Sequence, residues 1–166
     1  IKERLDVHQS LVKSRENQLP KAGTSDAKIL HELFSLTPRK FEFAIVSILE
    51  QLPNIHQQIE TTRQTADGGF DFLGHFKLPE PMPYIINIKG EVKRYSRVNG
   101  VPPKDVSRLV ARLRRNEFGI FATTSYFTSQ AQREVINDEY PVHLIAGIDL
   151  VDIIKTLGLL KNNSFK

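Results

Sequence analysis

From Thr37 to Leu52 the apolar positions Phe41, Ile45, Ile48, Leu49 and Leu52 recur at helical spacing. Thr37 suits the N-cap of such a helix, Pro38 its first position, and Pro53 marks its stop. The rhythm then changes to alternation. Strands are expected over about Ile55–Arg63 and Phe70–Leu78, joined by Thr65-Ala66-Asp67-Gly68-Gly69, with Asp67 as the turn residue. A Pro-rich loop, residues 79–83, leads to a third strand over Tyr84–Arg94. Beyond Asn99-Gly100 the pattern predicts a helix over Pro103–Asn116, a strand over Gly119–Thr123 and a helix from Thr128 or Ser129. A strand over Val142–Ala146 follows, then a last helix starting near Asp149, with Leu150, Ile153, Ile154 and Leu157 on one face. Upstream, Ile1, Leu5, Val7, Leu11 and Val12 predict a helix running into a loop at residues 20–24, after which Ser25 or Asp26 caps a short helix to Leu36. A helix, three strands and then alternating helices and strands predict an α/β/α sandwich around a mixed sheet. Residues 1–35 read as a helical linker or N-terminal extension, and 36–166 as the domain proper.

The third strand carries the chemistry. Side chains alternate faces along a strand, so Ile86, Ile88 and Val92 point to a core while Asn87, Lys89, Glu91 and Lys93 point the other way. A carboxylate and an ammonium two residues apart therefore project side by side from a rigid element. In the preceding strand Phe70, Phe72, Phe76 and Leu78 are expected to share one face and Asp71 to lie on the other. If the two strands are neighbours, Asp71 and Glu91 converge. Two such carboxylates repel unless a cation lies between them, and oxygen ligands favour a hard ion such as Mg²⁺. A cation so held polarises phosphoryl oxygens and acidifies bound water. Lys93 would orient the attacking water and offset charge building on the phosphate.

Composition sharpens the picture only slightly. With 166 residues, 40% hydrophobic and 25% charged, the chain is that of a globular domain able to bury a core unaided. It has no cysteine, which excludes disulfides and cysteine-held zinc. No apolar run approaches the roughly 18 residues of a membrane span, and no signal peptide is visible, so a cytoplasmic setting without membrane contact is expected. The formal charge is +4, a weak lean toward polyanions. The chain begins at Ile1 and its only methionine is Met82, so it is read as a piece of a longer protein.

Asp71, residues 72–90, then Glu91-Val92-Lys93 resembles the D…(D/E)xK signature of restriction-endonuclease-like nucleases. Four segments narrow the resemblance to the Mrr-type branch: Pro38-Arg39-Lys40-Phe41-Glu42, Asp67-Gly68-Gly69-Phe70-Asp71, Gly119 through Thr128, and Leu144-Ile145-Ala146-Gly147. The resemblance spans about residues 36–158. One position departs from it: Mrr-type domains often carry glutamine where Glu91 stands, while glutamate is the commoner form in the wider superfamily. The resemblance implies a restriction-endonuclease-like fold and a magnesium-dependent endonuclease of type II or modification-dependent character, acting on double-stranded DNA. It implies Asp71, Glu91 and the Val92 carbonyl as metal ligands, Lys93 as the catalytic lysine and Glu42 as a supporting acid. Cutting both strands requires two sites, so a homodimer is expected, with a separate targeting domain in the full-length chain.

The predicted helix 103–116 buries Val106, Leu109, Val110 and Leu113 and sets Lys104, Arg108, Arg112 and Arg115 on its other face, a basic ridge suited to phosphates. Arg94 and Arg97, just past the catalytic strand, are placed nearer the substrate. Thr123, Thr124 and Ser125 are either phosphate donors or caps of the strand end. His75 and His143 stand isolated and are read as structural, and Phe127 as core. Two competing functions are a non-cleaving DNA-binding module of the same fold and a structure-specific nuclease such as a junction resolvase.

Overall fold

The helices that the described residues form are α1 (Arg15–Gln18), α2 (Ser25–Ser35), α3 (Pro38–Glu50), α4 (Pro103–Val110), α5 (Ser129–Asn137) and α6 (Gly147–Thr156). The strands are β1 (Glu60–Thr61), β2 (Phe72–Lys77), β3 (Ile85–Lys93), β4 (Glu117–Thr123) and β5 (Val142–Ile145), with a separate hairpin of β6 (Leu160–Lys161) and β7 (Ser164–Phe165). These come from a computed structural model that describes residues 11–52, 60–61, 70–77, 80–82, 84–161 and 164–165. The first ten residues, the expected turn with Asp67, Leu78 and most of the strand expected over 55–63 lie outside the described residues.

Five strands form one sheet in the order β1-β2-β3-β4-β5. The β1–β2 and β2–β3 pairs are antiparallel, and the β3–β4 and β4–β5 pairs parallel, so the sheet is mixed. Parallel neighbours need crossovers, and α4 and α5 supply them. Each lies in the second of two cores: Val106 and Leu109 of α4 and Ala131 and Val135 of α5 pack with Phe121, Phe127 and Val142. The other face of the sheet is covered by α2, α3 and α6, where Phe41, Ile45, Ile48, Leu150 and Ile154 pack on Phe72, Ile88 and Val92. The architecture is therefore the expected α/β/α sandwich.

Local chemistry explains the ends of the helices. Thr37 Oγ1 accepts from the Lys40 N–H, as expected. The short helix before it is capped by Thr24, which accepts from the Ala27 N–H, one residue ahead of the expected Ser25 or Asp26. The last helix begins at Gly147 rather than Asp149, because Asp149 acts from inside the first turn, its carboxylate accepting from the Ala146 N–H. The helix expected to reach Asn116 stops at Val110. Its backbone tightens into i→i+3 bonds, from Arg112 N–H to the Leu109 carbonyl and from Leu113 N–H to the Val110 carbonyl. Asn116 then reverses the chain in the left-handed region, at φ 63°.

Of the expected N-terminal helix, Arg15–Gln18 is helical among the described residues. The amide of Gln18 locks this turn to the body: Nε2 donates to the Phe127 carbonyl and Oε1 accepts from the Phe127 N–H. Leu19, Ile29, Leu30 and Leu33 belong to the same core as α3 and α6. The boundary expected at residue 35 does not coincide with a break in the packing.

Candidate active site

β3 holds the site in place because its two faces are fixed differently. Toward α2, α3 and α6 it presents Ile88, Gly90 and Val92. The buried Phe72 ring crosses directly over Gly90, its register partner. A Cβ on residue 90 would lie 1.9 Å from the ring, so only glycine permits the crossing. Glu91 and Lys93 point to the opposite side, as alternation requires.

Asp71 meets them from the neighbouring chain segment. It precedes β2 and donates its N–H to the Gly90 carbonyl at 2.9 Å. Its carboxylate oxygen Oδ2 accepts from the Val92 N–H at 2.7 Å. This bend also moves Phe70: rather than sharing the face of Phe72 and Phe76, as alternation predicts, Phe70 packs in the opposite core. There the Lys89 ammonium lies 4.7 Å from its ring centroid.

Glu91 is 2% exposed. Its Oε1 takes the Lys93 ammonium at 3.1 Å and the Arg108 guanidinium at 2.6 Å. Its other oxygen, Oε2, is buried without a hydrogen-bond partner. Burial raises the pKa of Asp71, with the Glu91 charge adding to it, while the Val92 N–H and the Lys93 and Arg108 cations work against the rise. Burial also raises Glu42, which sits in the field of Asp71, and Arg39 and Lys93 oppose it. Glu42 lies on α3, paired with Arg39 at 3.7 Å. Asp71, Glu91 and Lys93 thus lie on adjoining backbone, while Glu42 shares only their electrostatic field.

Among the described residues no group of three or more acidic or histidine side chains is set to enclose a metal ion. Two converging carboxylates, one with an unpartnered buried oxygen, nevertheless fit an ion that keeps several waters and takes one or two carboxylates, which is the habit of magnesium.

Comparison with known proteins follows the same line. Residues 33–154 match the family model for the Mrr-type catalytic domain, described as restriction endonuclease. The chain belongs to the restriction endonuclease family. Two solved structures are similar. The MspJI restriction endonuclease in complex with a 27-mer oligonucleotide superposes with a TM-score of 0.79 at 31% identity, over 88% of this chain and 34% of its own. AspBHI, a DNA modification-dependent restriction endonuclease, does so with a TM-score of 0.80 at 31% identity, over 90% of this chain and 39% of its own. This chain thus spans between a third and two-fifths of either protein. No curated protein sequence matches it.

Within this restriction-endonuclease domain the basic residues divide in a way their spacing does not foretell. Arg94 is turned inward, donating to the Phe34 carbonyl at 2.7 Å and stacking on the Phe34 ring. Arg97 donates to the Pro20 carbonyl at 2.7 Å. Both arginines, expected to face substrate, tie the N-terminal segment to the end of β3. The ridge is shorter than expected: Lys104 and Arg108 lie on α4, but Arg112 and Arg115 lie in the turn beyond it. Arg108 is turned onto Glu91, and this contact is what sequence reading missed; its helical spacing placed it on a solvent face.

Thr123, Thr124 and Ser125 serve the strand end. Their hydroxyls donate to the carbonyls of Lys93, Tyr95 and Ser96, with Ser125 also reaching Asn99, so they hold the chain after β3 against β4. No helix among the described residues is long and apolar enough to cross a membrane.

Proposed function

We propose that this domain hydrolyses phosphodiester bonds of double-stranded DNA with magnesium as cofactor, and that it is the cutting part of a longer, cytoplasmic prokaryotic restriction enzyme. The observation that carries the reading is Glu91: a buried carboxylate with one oxygen unpartnered, beside Asp71 and Lys93, in a restriction-endonuclease domain. Asp71, Glu91 and the Val92 carbonyl would hold the ion. When bound, a divalent cation of this kind polarises the phosphoryl oxygens and acidifies a coordinated water. Lys93 orients the attacking water and places positive charge where it develops on the phosphate. Glu42, in the electrostatic field of Asp71, would act as a supporting acid. Lys104, Arg108, Arg112 and Arg115 offer positive charge to the duplex backbone.

Two parts of the reading reach beyond the chain. Cutting both strands calls for a second copy of the site, hence a homodimer. AspBHI carries modification dependence in its name; by extension, choice of target here falls to a separate domain that reads modified DNA. The test is cleavage by the full-length protein of plasmid, in modified and unmodified form, with and without magnesium. Asp71→Ala and Lys93→Ala are expected to abolish nicking and linearisation while leaving the melting curve cooperative. Undiminished magnesium-dependent cleavage by either variant refutes the assignment of the site.

A further inference from the structure

Three cationic side chains on or just past β3 are committed to internal partners: Arg94 to the Phe34 carbonyl, Arg97 to the Pro20 carbonyl, and Lys89 to Glu117 at 2.7 Å. Arg108 differs. Its Nη2 is 2.6 Å from Glu91 Oε1, yet its side chain is 47% exposed while that of Glu91 is 3% exposed. It touches the most buried acid of the site and the solvent at once.

The helix that carries it is anchored from below. Asp105, buried in the first turn of α4, accepts from the Tyr95 hydroxyl at 3.1 Å, just past β3. Arg108, three residues on, is thereby held within reach of Glu91. Lys93 shares the same oxygen, so two cations already balance one carboxylate. A divalent cation between Asp71 and Glu91 would add two positive charges at a distance where like charges repel strongly. Lys93 leaves from the same strand as Glu91; Arg108 extends from a separate helix and lies half in solvent. Its planar fork is suited to a phosphate.

We propose that Arg108 is an exchangeable counter-ion. In the free enzyme it neutralises Glu91 and weakens cation binding. When duplex DNA arrives it passes to a backbone phosphate, and the vacated carboxylate takes the cation. Cation and DNA binding are then coupled, and the enzyme holds its metal poorly until substrate is present. This inference rests on the cation site proposed above.

The test is calorimetric titration of the full-length protein with Mn²⁺, first alone and then with a duplex oligonucleotide. Without DNA, Arg108→Ala is expected to bind Mn²⁺ about tenfold more tightly than wild type, within the usual range of coupling between sites. Arg108→Gln keeps the side-chain stem and carries the same expectation should the alanine variant fold poorly. With DNA, the gain in Mn²⁺ affinity seen in wild type should shrink in both variants. Glu91→Gln is the control for the underlying site and should bind Mn²⁺ weakly in either condition. If Glu91→Gln binds as wild type does, the cation site itself is wrong. If Glu91→Gln loses the ion but neither Arg108 variant binds it more tightly than wild type, the counter-ion role is overturned.

Discussion

The two faces of β3 obey opposite rules. On one, Ile88, Gly90 and Val92 meet Phe72 and the apolar faces of α2, α3 and α6, with no charge among them. On the other, one residue away, Glu91 is buried with an oxygen unmatched, and burial lifts the pKa of Asp71 beside it. Close packing stabilises the first face. The second costs stability, since a buried charge repays its desolvation only when fully paired. The difference teaches how such a site survives: the apolar side over-determines the strand, and the strand holds its carboxylates where water would not leave them.

Breaking the apolar face should therefore produce the largest effect on folding. Phe72→Ala removes a side chain that is 1% exposed, and Leu33→Ala one that is 0% exposed. The expected losses are ~3–5 kcal/mol for the first and ~2–5 kcal/mol for the second. Chemical denaturation of the full-length protein reads both. The Leu33 result also tests whether residues 19–35 are part of the folded unit. A loss below about 1 kcal/mol would show that α2 contributes little to this core, as a linker or N-terminal extension would.

Much of this was visible in sequence, for reasons that can be named. The alternation in β3 and the Thr37-Pro38 start of α3 are local, and local rules settle them. The pairing of Asp71 with Glu91 was not local; it came from resemblance, and the β2–β3 register supplies its geometry. Three readings failed, two of them where a distant partner outweighed spacing and one where the backbone tightened locally. Phe70 left the face of Phe72 because the backbone bends at Asp71, bonded to Gly90. The ridge was cut short where α4 tightens after Val110. Arg94 and Arg97 face carbonyls 60 and 77 positions away in sequence, which no periodicity records.

Those two arginines give the intermediate effect. Arg97→Ala leaves the Pro20 carbonyl without its donor, and hydrogen bonds to charged groups are worth ~1.5–3 kcal/mol. The expected outcome is destabilisation in that range together with faster proteolysis ahead of α2, and DNA affinity that barely changes. A variant that folds as well as wild type but binds duplex several-fold more weakly would return Arg97 to the substrate.

The smallest effect should have the opposite sign. Asp71 has a folded-state pKa above its unfolded value, raised first by burial. A carboxyl so shifted favours folding in its protonated form. Its contribution is full below the unfolded pKa, near 3.9, and is lost as pH rises through the folded value. Asp71→Asn keeps an oxygen to accept from the Val92 N–H and removes the charge. The variant should melt above wild type at neutral pH, and the gap should close as the buffer falls below the ordinary carboxylate range. Magnesium should narrow the gap from the other side, since a ligand of the native state raises the melting temperature of the protein that binds it. If Asp71→Asn instead melts below wild type at neutral pH, the charge on Asp71 is already well paired, and the polar face of β3 is no more strained than the apolar one.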